Sequence, residues 1–427
     1  HSKNSIDMPI PSMLLMEANA NSYQALLNTS ITFSKDDSQL FNFDIDAKPI
    51  GKEYVQQTNL KWQPQAINQQ SSKEYLRILL LLVEYELIKR GVDLKKVEYH
   101  WAFPKSFSET LINDYNTMWN ILLKKPKHTD ESKAALLYFD YKGKLSRNNP
   151  YITIVIDTGG GSSDISIWQN GKVHLLYSSL WAGKNLIGFE KDKIIYSSIY
   201  DAIAGLQGNS IENFRNISSF YDRLNYTFYA LSEDTLCELV RSDSFYKARF
   251  LIIYFYSALF YEIGIQCKAI SMDNITKISI VLAGNGSRFA YWSSGQVDNI
   301  DEQEQEIYKK IIKEAIPFDI EVEFFNSSSQ DKKREVALGL CKGNDNLRKQ
   351  TAEKEHVIAE KVKLNEMSDL SQKSIAEFND LIQENGHLIN LDKENSEIVK
   401  FHNIFFNVLG RSDLYRDRLK NESSLSD

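Results

Sequence analysis

The chain is poor in cysteine. Its 427 residues include only Cys237, Cys267 and Cys341, widely scattered and without CxxC spacing. An odd, dispersed set excludes a disulfide framework and a cysteine zinc site, and its simple reading is a reducing cytoplasm. Histidine is scarce too, with seven residues and no HExxH or other metal-ligand spacing. His174 and His402 sit near apolar residues and read as packed side chains. Positive charge is also short. The formal net charge of −7 argues against general nucleic-acid binding. The basic runs Lys124-Lys125-Pro126-Lys127 and Lys332-Lys333-Arg334 read as solvated loops. No signal peptide occupies the given N-terminus, and no internal repeat or low-complexity tract occurs. The most apolar run, Phe250 to Ile265, contains Tyr254, Tyr256, Tyr261 and Glu262 and is shorter than a membrane span requires. It reads as a buried helix, with no membrane contact.

What is present is a hydrophobic fraction of 42%, which supports packed cores, and a length that suits two or three domains. The most informative stretch runs from Ile152 to Ile167. Ile152, Ile154 and Ile156 alternate with Thr153 and Val155, all strand formers. The strand ends in Asp157. Gly159, Gly160 and Gly161 follow, then Ser162, Ser163, Asp164 and a second strand. Glycines permit positive φ and let backbone N–H groups approach an anion. A carboxylate beside them suits a hydrated Mg²⁺. Strand, carboxylate and amide nest together point to a Mg-nucleotide site.

This segment resembles the second phosphate hairpin of the superfamily of actin, heat-shock ATPase chaperones and sugar kinases, whose pattern Asp-x-Gly-Gly-Gly-(Thr/Ser)-x-Asp-hydrophobic-Ser it matches throughout. Further segments follow the family's chain order. Glu131-Ser132-Lys133-Ala134-Ala135-Leu136-Leu137-Tyr138 resembles the chaperone branch's connecting helix, with Ser132 in place of the usual proline. The resemblance makes Glu131 the residue that positions the attacking water. Ile278 to Phe289 is similar to the adenosine motif and supplies Gly284, Asn285, Gly286, Ser287 and Arg288 as nucleotide-binding candidates. Arg288 could stack on adenine. Asn285 stands where a glycine is usual, and asparagine tolerates the left-handed region. Arg334 to Leu340 resembles the second connecting helix, with Ala337 and Gly339 expected to pack on the first. Val97 to Ser108 and Ile10-Pro11-Ser12-Met13 resemble first-lobe segments. The family's first phosphate loop, Asp-x-Gly-Thr, does not occur, and the chain starts at His1. The expectation is a fragment whose natural protein extends upstream and whose fold lacks its first strands.

The expected fold is α/β, an actin-like ATPase fold of two lobes with mixed sheets flanked by helices, plus a polar helical appendage at the C-terminus. Residues 1–150 would form an incomplete first lobe, 151–342 the second lobe, and 343–427 the appendage. Within the first lobe, strand-like residues run from Leu40 to Ile45. A helix is expected from Ser71 to Lys89, capped by Ser71 or Ser72 with Glu74 and stopped at Gly91. A strand near Val97–Phe103 and a helix from Ser108 to about Leu123 follow. In the second lobe a meander turns at Asn170-Gly171. A helical subdomain at about 183–248 would face adenine, with Lys184, Arg223 and Arg241 as its candidates. The acidic run from Asp301 to Glu306 reads as the start of an exposed helix, and Ile320 to Phe325 as a strand. In the appendage, Ile375, Phe378, Leu381 and Ile382 show helical spacing, and Phe401, Ile404, Phe405, Val408 and Leu409 form an apolar helix face.

The function these features imply is a cytoplasmic Mg-ATP-binding ATPase domain that acts as a nucleotide-dependent switch on a protein partner. Asp157 and, through water, Asp164 would position Mg²⁺. The amides of Gly159 to Ser162 would hold phosphate, with the Ser162 hydroxyl as a further donor. Two other readings stay open: a small-molecule kinase of the same superfamily, and a non-hydrolysing scaffold.

Overall fold

A computed structural model of the chain describes residues 14–17, 54–57, 66–145, 151–183, 186, 233–242, 245–270, 276–296, 299–316, 319–325, 334–357, 362–364, 368–369, 389–391 and 396–412. In chain order the elements begin with β1 (Leu14–Glu17), β2 (Tyr54–Gln57), α1 (Ala66–Lys89), β3 (His100–Phe103), α2 (Glu109–Leu122), β4 (Lys127–Asp130) and α3 (Glu131–Tyr141). Next come β5 (Ile152–Thr158), β6 (Ser163–Gln169), β7 (Lys172–Ser179), α4 (Glu233–Arg241), α5 (Tyr246–Ala269), β8 (Lys277–Ala283) and α6 (Ser287–Trp292). The series ends with α7 (Glu302–Ala315), β9 (Glu321–Phe325), α8 (Glu335–Lys342), α9 (Asp345–Lys349), β10 (Val362–Leu364), β11 (Ser368–Asp369), β12 (Ile389–Leu391) and α10 (Glu397–Gly410).

The contacts divide the chain into two units. One comprises residues 1–100, 107–127 and 190–236. In it β1 and β2 pair antiparallel. Helix α1 starts at Ala66 rather than at the expected Ser71, so Ser72 is a buried helix residue and not a cap. Its end is as expected: Gly91 takes φ +75°, and the Val92 amide donates back to Leu87 O at 2.9 Å. Helix α2 is capped by Ser108, whose Oγ accepts from Leu111 N at 3.2 Å.

The other unit comprises 101–106, 128–189 and 237–427. Its centre is a five-stranded sheet in the order β7-β6-β5-β8-β9. Strands β5, β6 and β7 form an antiparallel meander, while β8 runs parallel to β5 and β9 parallel to β8. The tight turn between β6 and β7 is Asn170 (φ 50°) and Gly171 (φ 80°), both left-handed as a two-residue hairpin demands. Strands β5, β6 and β8 are buried almost end to end because helices cover the sheet. Ala135 to Phe139 of α3 pack with Val155, Trp168, Leu176, Val281 and Ala283. Tyr177, next to Leu176 in β7 and so on the opposite face, meets Glu262 of α5, and Phe324 of β9 meets Phe260 of α5. The meander, the mixed sheet and the flanking helices are as the resemblance implies.

Helix α5 is longer than the apolar run suggested. Ala248–Ala269 is long and apolar enough to cross a membrane by length and composition, yet 72% of its most apolar window is buried within the protein. It packs against α7 and α10 and acts here as a core helix. Helix α7 has the expected exposed acidic start at Glu302, Gln303 and Glu306, with one departure. Asp301 caps it, but Glu304 is only 2% exposed. Burial, with Asp301 nearby, pushes the Glu304 carboxyl up to about 7.

The appendage is not purely helical. It holds the antiparallel strands β11-β10-β12 as well as α9 and α10. Phe401, Phe405, Val408 and Leu409 are buried, as their spacing required. Residues 350–357 lie along the free edge of β7. Gln350 Oε1 accepts from Val173 N at 3.1 Å, its Nε2 donates to Gly171 O at 2.9 Å, and Lys354 N donates to His174 O at 2.9 Å. Pairing the edge removes a row of open hydrogen-bonding groups. Leu40–Ile45, Pro11-Ser12, Lys184, Arg223 and the 375–382 stripe lie outside the described residues.

Candidate functional site

Asp157 sits on the central strand of the sheet. It pairs with Asp164 of β6 on one side and with Ala283 of β8 on the other. The two glycine motifs, far apart in sequence, therefore lie side by side at the ends of adjacent strands. The contact is closer than any side chain would allow. A β-carbon on Gly284 would overlap Asp157 Oδ1 and Thr158 O, and one on Gly286 would overlap Thr158. Gly286 N donates to Thr158 O at 2.7 Å.

The left-handed residue of this turn is Gly284, at φ +73°. Asn285 does not use that region, since the positive-φ non-glycine residues among those described are Lys125 and Asn170. The asparagine thus replaces a glycine where conformational freedom is not required. Ser287 closes the turn by donating its hydroxyl to Gly284 O at 2.6 Å. Arg288 is half-buried at the start of α6.

In the phosphate hairpin, Gly159 N donates to Ser162 O at 2.8 Å and Gly159 O accepts from Gly183 N at 3.0 Å. Gly159 does not take a positive φ; its β-carbon would press on Ser162 O at 3.2 Å. Gly160 is exposed and Gly161 half-buried, which puts the hairpin tip at the surface. The Ser162 hydroxyl donates to Asp164 Oδ2 at 2.8 Å, and Ser178 donates to Asp164 Oδ1. Ser178 Oγ in turn accepts from Lys105 N at 2.6 Å. Asp164 is 2% exposed, so in this geometry its carboxyl braces the hairpin and occupies the Ser162 hydroxyl. The residues left exposed at the tip are Gly160 and, in part, Gly161.

Glu131 is the first residue of α3 and is half-buried. Asp130 caps the helix, accepting from Lys133 N at 3.0 Å and from the Ser132 hydroxyl. Lys133 donates to Arg348 O at 2.9 Å, and burial lowers its ammonium from the usual lysine range. Helices α3 and α8 touch through backbone. A β-carbon on Gly339 would overlap Ala134 O, while Gly343 leaves room for Leu137. Gly339 thus makes the expected contact with α3. Ala337 is exposed and does not make the expected contact, because it falls on the outer face of this short helix.

Two residues escaped the sequence reading. Tyr256 of α5 donates its hydroxyl to Gly286 O at 2.6 Å, and burial raises its phenol well above the ordinary range. Glu335 of α8 is 1% exposed and accepts from Gly284 N at 2.9 Å. A tyrosine inside an apolar helix does signal a hydroxyl in need of a partner; nothing local names that partner. Arg241 donates its Nε to Gly295 O at 3.1 Å. Among the described residues no group of three or more His, Cys, Asp or Glu could hold a metal. Asp157 alone fits the one-carboxylate, water-rich pattern of Mg²⁺ with a phosphate ligand.

No protein-family profile and no curated protein matches the chain. Among solved structures it is similar to MreB5 of Spiroplasma citri bound to ADP, at 12% identity and a TM-score of 0.38, covering 79% of this chain and 89% of that one. It is also similar to the ethanolamine utilization protein EutJ from Carboxydothermus hydrogenoformans, at 14% identity and a TM-score of 0.32, covering 65% of this chain and 75% of that one. Likeness at these scores carries no weight for function, which rests on the geometry of the two glycine turns.

Proposed function

We propose that this chain is a Mg-ATP-binding domain of the actin-like ATPase type, used as a nucleotide-dependent switch on a protein partner. The observation that carries the reading is the seating of Gly284 and Gly286 against Asp157 and Thr158. Bare backbone from two distant motifs meets at one carboxylate, which suits a ligand with phosphates at one end and a nucleoside at the other. The backbone amides of the exposed tip at Gly160 and Gly161 would take the phosphates, since oriented N–H groups attract anions without reorganising. Gly284 to Arg288 would take the nucleoside.

Asp157 would orient the waters of a Mg²⁺ ion, and that ion supplies charge neutralisation to the phosphates when bound. Asp164 supports this from below by fixing Ser162 and Ser178 rather than by facing the ion. Glu131 would orient the water that attacks the γ-phosphate. Positioning and electrostatics would provide most of the rate, as phosphoryl transfer needs little covalent help from protein groups.

The test is calorimetric titration with Mg-ATP and Mg-ADP, with Asp157→Ala as control. The reading expects saturable binding that the substitution abolishes or weakens at least tenfold, about 1.4 kcal/mol. Hydrolysis that falls in Glu131→Ala while binding persists would assign the water-orienting role. Absence of binding by the wild-type chain contradicts the reading.

A further inference from the structure

The carboxyl of Glu335 is an unusual group to bury. It opens α8, is 1% exposed, and accepts from the amide of Gly284 at 2.9 Å. That amide belongs to the residue whose α-carbon lies against Asp157 Oδ1 so closely that no β-carbon fits. Four residues further along α8, Gly339 is seated on Ala134 O of α3, the helix that Glu131 opens. One short helix therefore holds the nucleoside turn at its first residue and the water-orienting helix at its fifth.

We propose that Glu335 is a positioning residue for the nucleotide site, resting on the nucleotide reading above. Its carboxyl oxygen fixes the peptide between Ala283 and Gly284. Through the Gly284 contact this sets both the nucleoside turn and the Asp157 carboxyl. It touches neither phosphate nor the reacting atoms. Without the acceptor, a buried N–H loses its partner and the turn is released from α8. The Gly284–Asp157 approach then loosens, while the rest of the sheet keeps its own strand pairing.

The experiment compares wild type, E335Q and E335M in the full chain. Glutamine keeps an oxygen for the Gly284 amide; methionine fills similar volume without one. Amide hydrogen exchange is followed over residues 280–288 without ligand, with 163–179 as internal reference, and Mg-ADP affinity is measured by calorimetry. In E335M, exchange over 280–288 should rise about tenfold with the reference unchanged, and Mg-ADP should bind about tenfold more weakly. E335Q should stay close to wild type in both, which a purely space-filling role would not produce. Unchanged exchange in E335M, or wild-type affinity in E335M, overturns the proposal, as does E335Q behaving like E335M. Should E335M fail to fold, E335A replaces it under the same criteria. A wild-type chain that binds no Mg-ADP overturns the nucleotide reading instead. The exchange measurement then decides separately whether Glu335 holds the turn.

Discussion

Two helix contacts in the larger unit are built in opposite ways. Where α8 meets α3, the surfaces are backbone, and Gly339 and Ala134 bring the chains together with almost no side chain between them. Where α10 meets α5, the surfaces are rings. Phe405 packs edge-on to Phe250 and Tyr254, Phe401 meets Tyr254 and Tyr261, and the Tyr254 hydroxyl pairs with His402 at 2.5 Å. The first contact fixes position, because backbone cannot yield. The second supplies burial, because rings bury large apolar area and can repack. The two glycine turns belong to the first kind of construction, and the appendage to the second.

Removing a ring should give the largest loss of stability. Phe405 is fully buried, so Phe405→Ala leaves a cavity and should cost about 3–5 kcal/mol in denaturant unfolding. If the two constructions are separate, nucleotide affinity measured well below the unfolding transition stays at the wild-type value. Adding a side chain on the other surface comes next. Gly339→Val should cost about 1–3 kcal/mol by forcing α8 off Ala134. Unlike the Phe405 variant, it should also weaken nucleotide binding, and wild-type affinity in Gly339→Val would break the contrast.

A smaller effect reads α7, which packs on both α5 and α10, through pH. Burial raises Glu304 to about 7 from an ordinary value of 4.5. Between those values the folded chain holds a proton that the unfolded chain has released. This contribution is therefore fully present below pH 4.5 and is lost as pH rises through about 7. Unfolding free energy measured across that window should fall less steeply with pH in Glu304→Gln than in wild type. Identical slopes would mean that Glu304 is not held in its buried place.

The same contrast explains what the sequence revealed. Backbone-built features leave marks in sequence, because only certain residues permit them. Asp157, Gly284, Gly286 and Gly339 could each be named in advance, and so could the Asn170-Gly171 turn. Side-chain partnerships leave no such mark. Nothing around Gln350 announces that it will bond both Gly171 and Val173, and nothing around His356 announces its stacking on Tyr177 and its hydrogen bond to Glu262. The strands of the appendage were missed because segments of two or three residues carry no readable period. In the hairpin, the pattern named Ser162 and Asp164 but not that they bond each other.

The most direct test of the account is Gly284→Ala. One methyl group placed against Asp157 Oδ1, at a residue with φ +73°, strikes the junction of the two motifs. The account predicts that calorimetry finds Mg-ADP binding to the wild type reduced at least tenfold, about 1.4 kcal/mol, in Gly284→Ala, while circular dichroism shows the chain still folded. A folded Gly284→Ala chain that binds Mg-ADP as tightly as the wild type would contradict it.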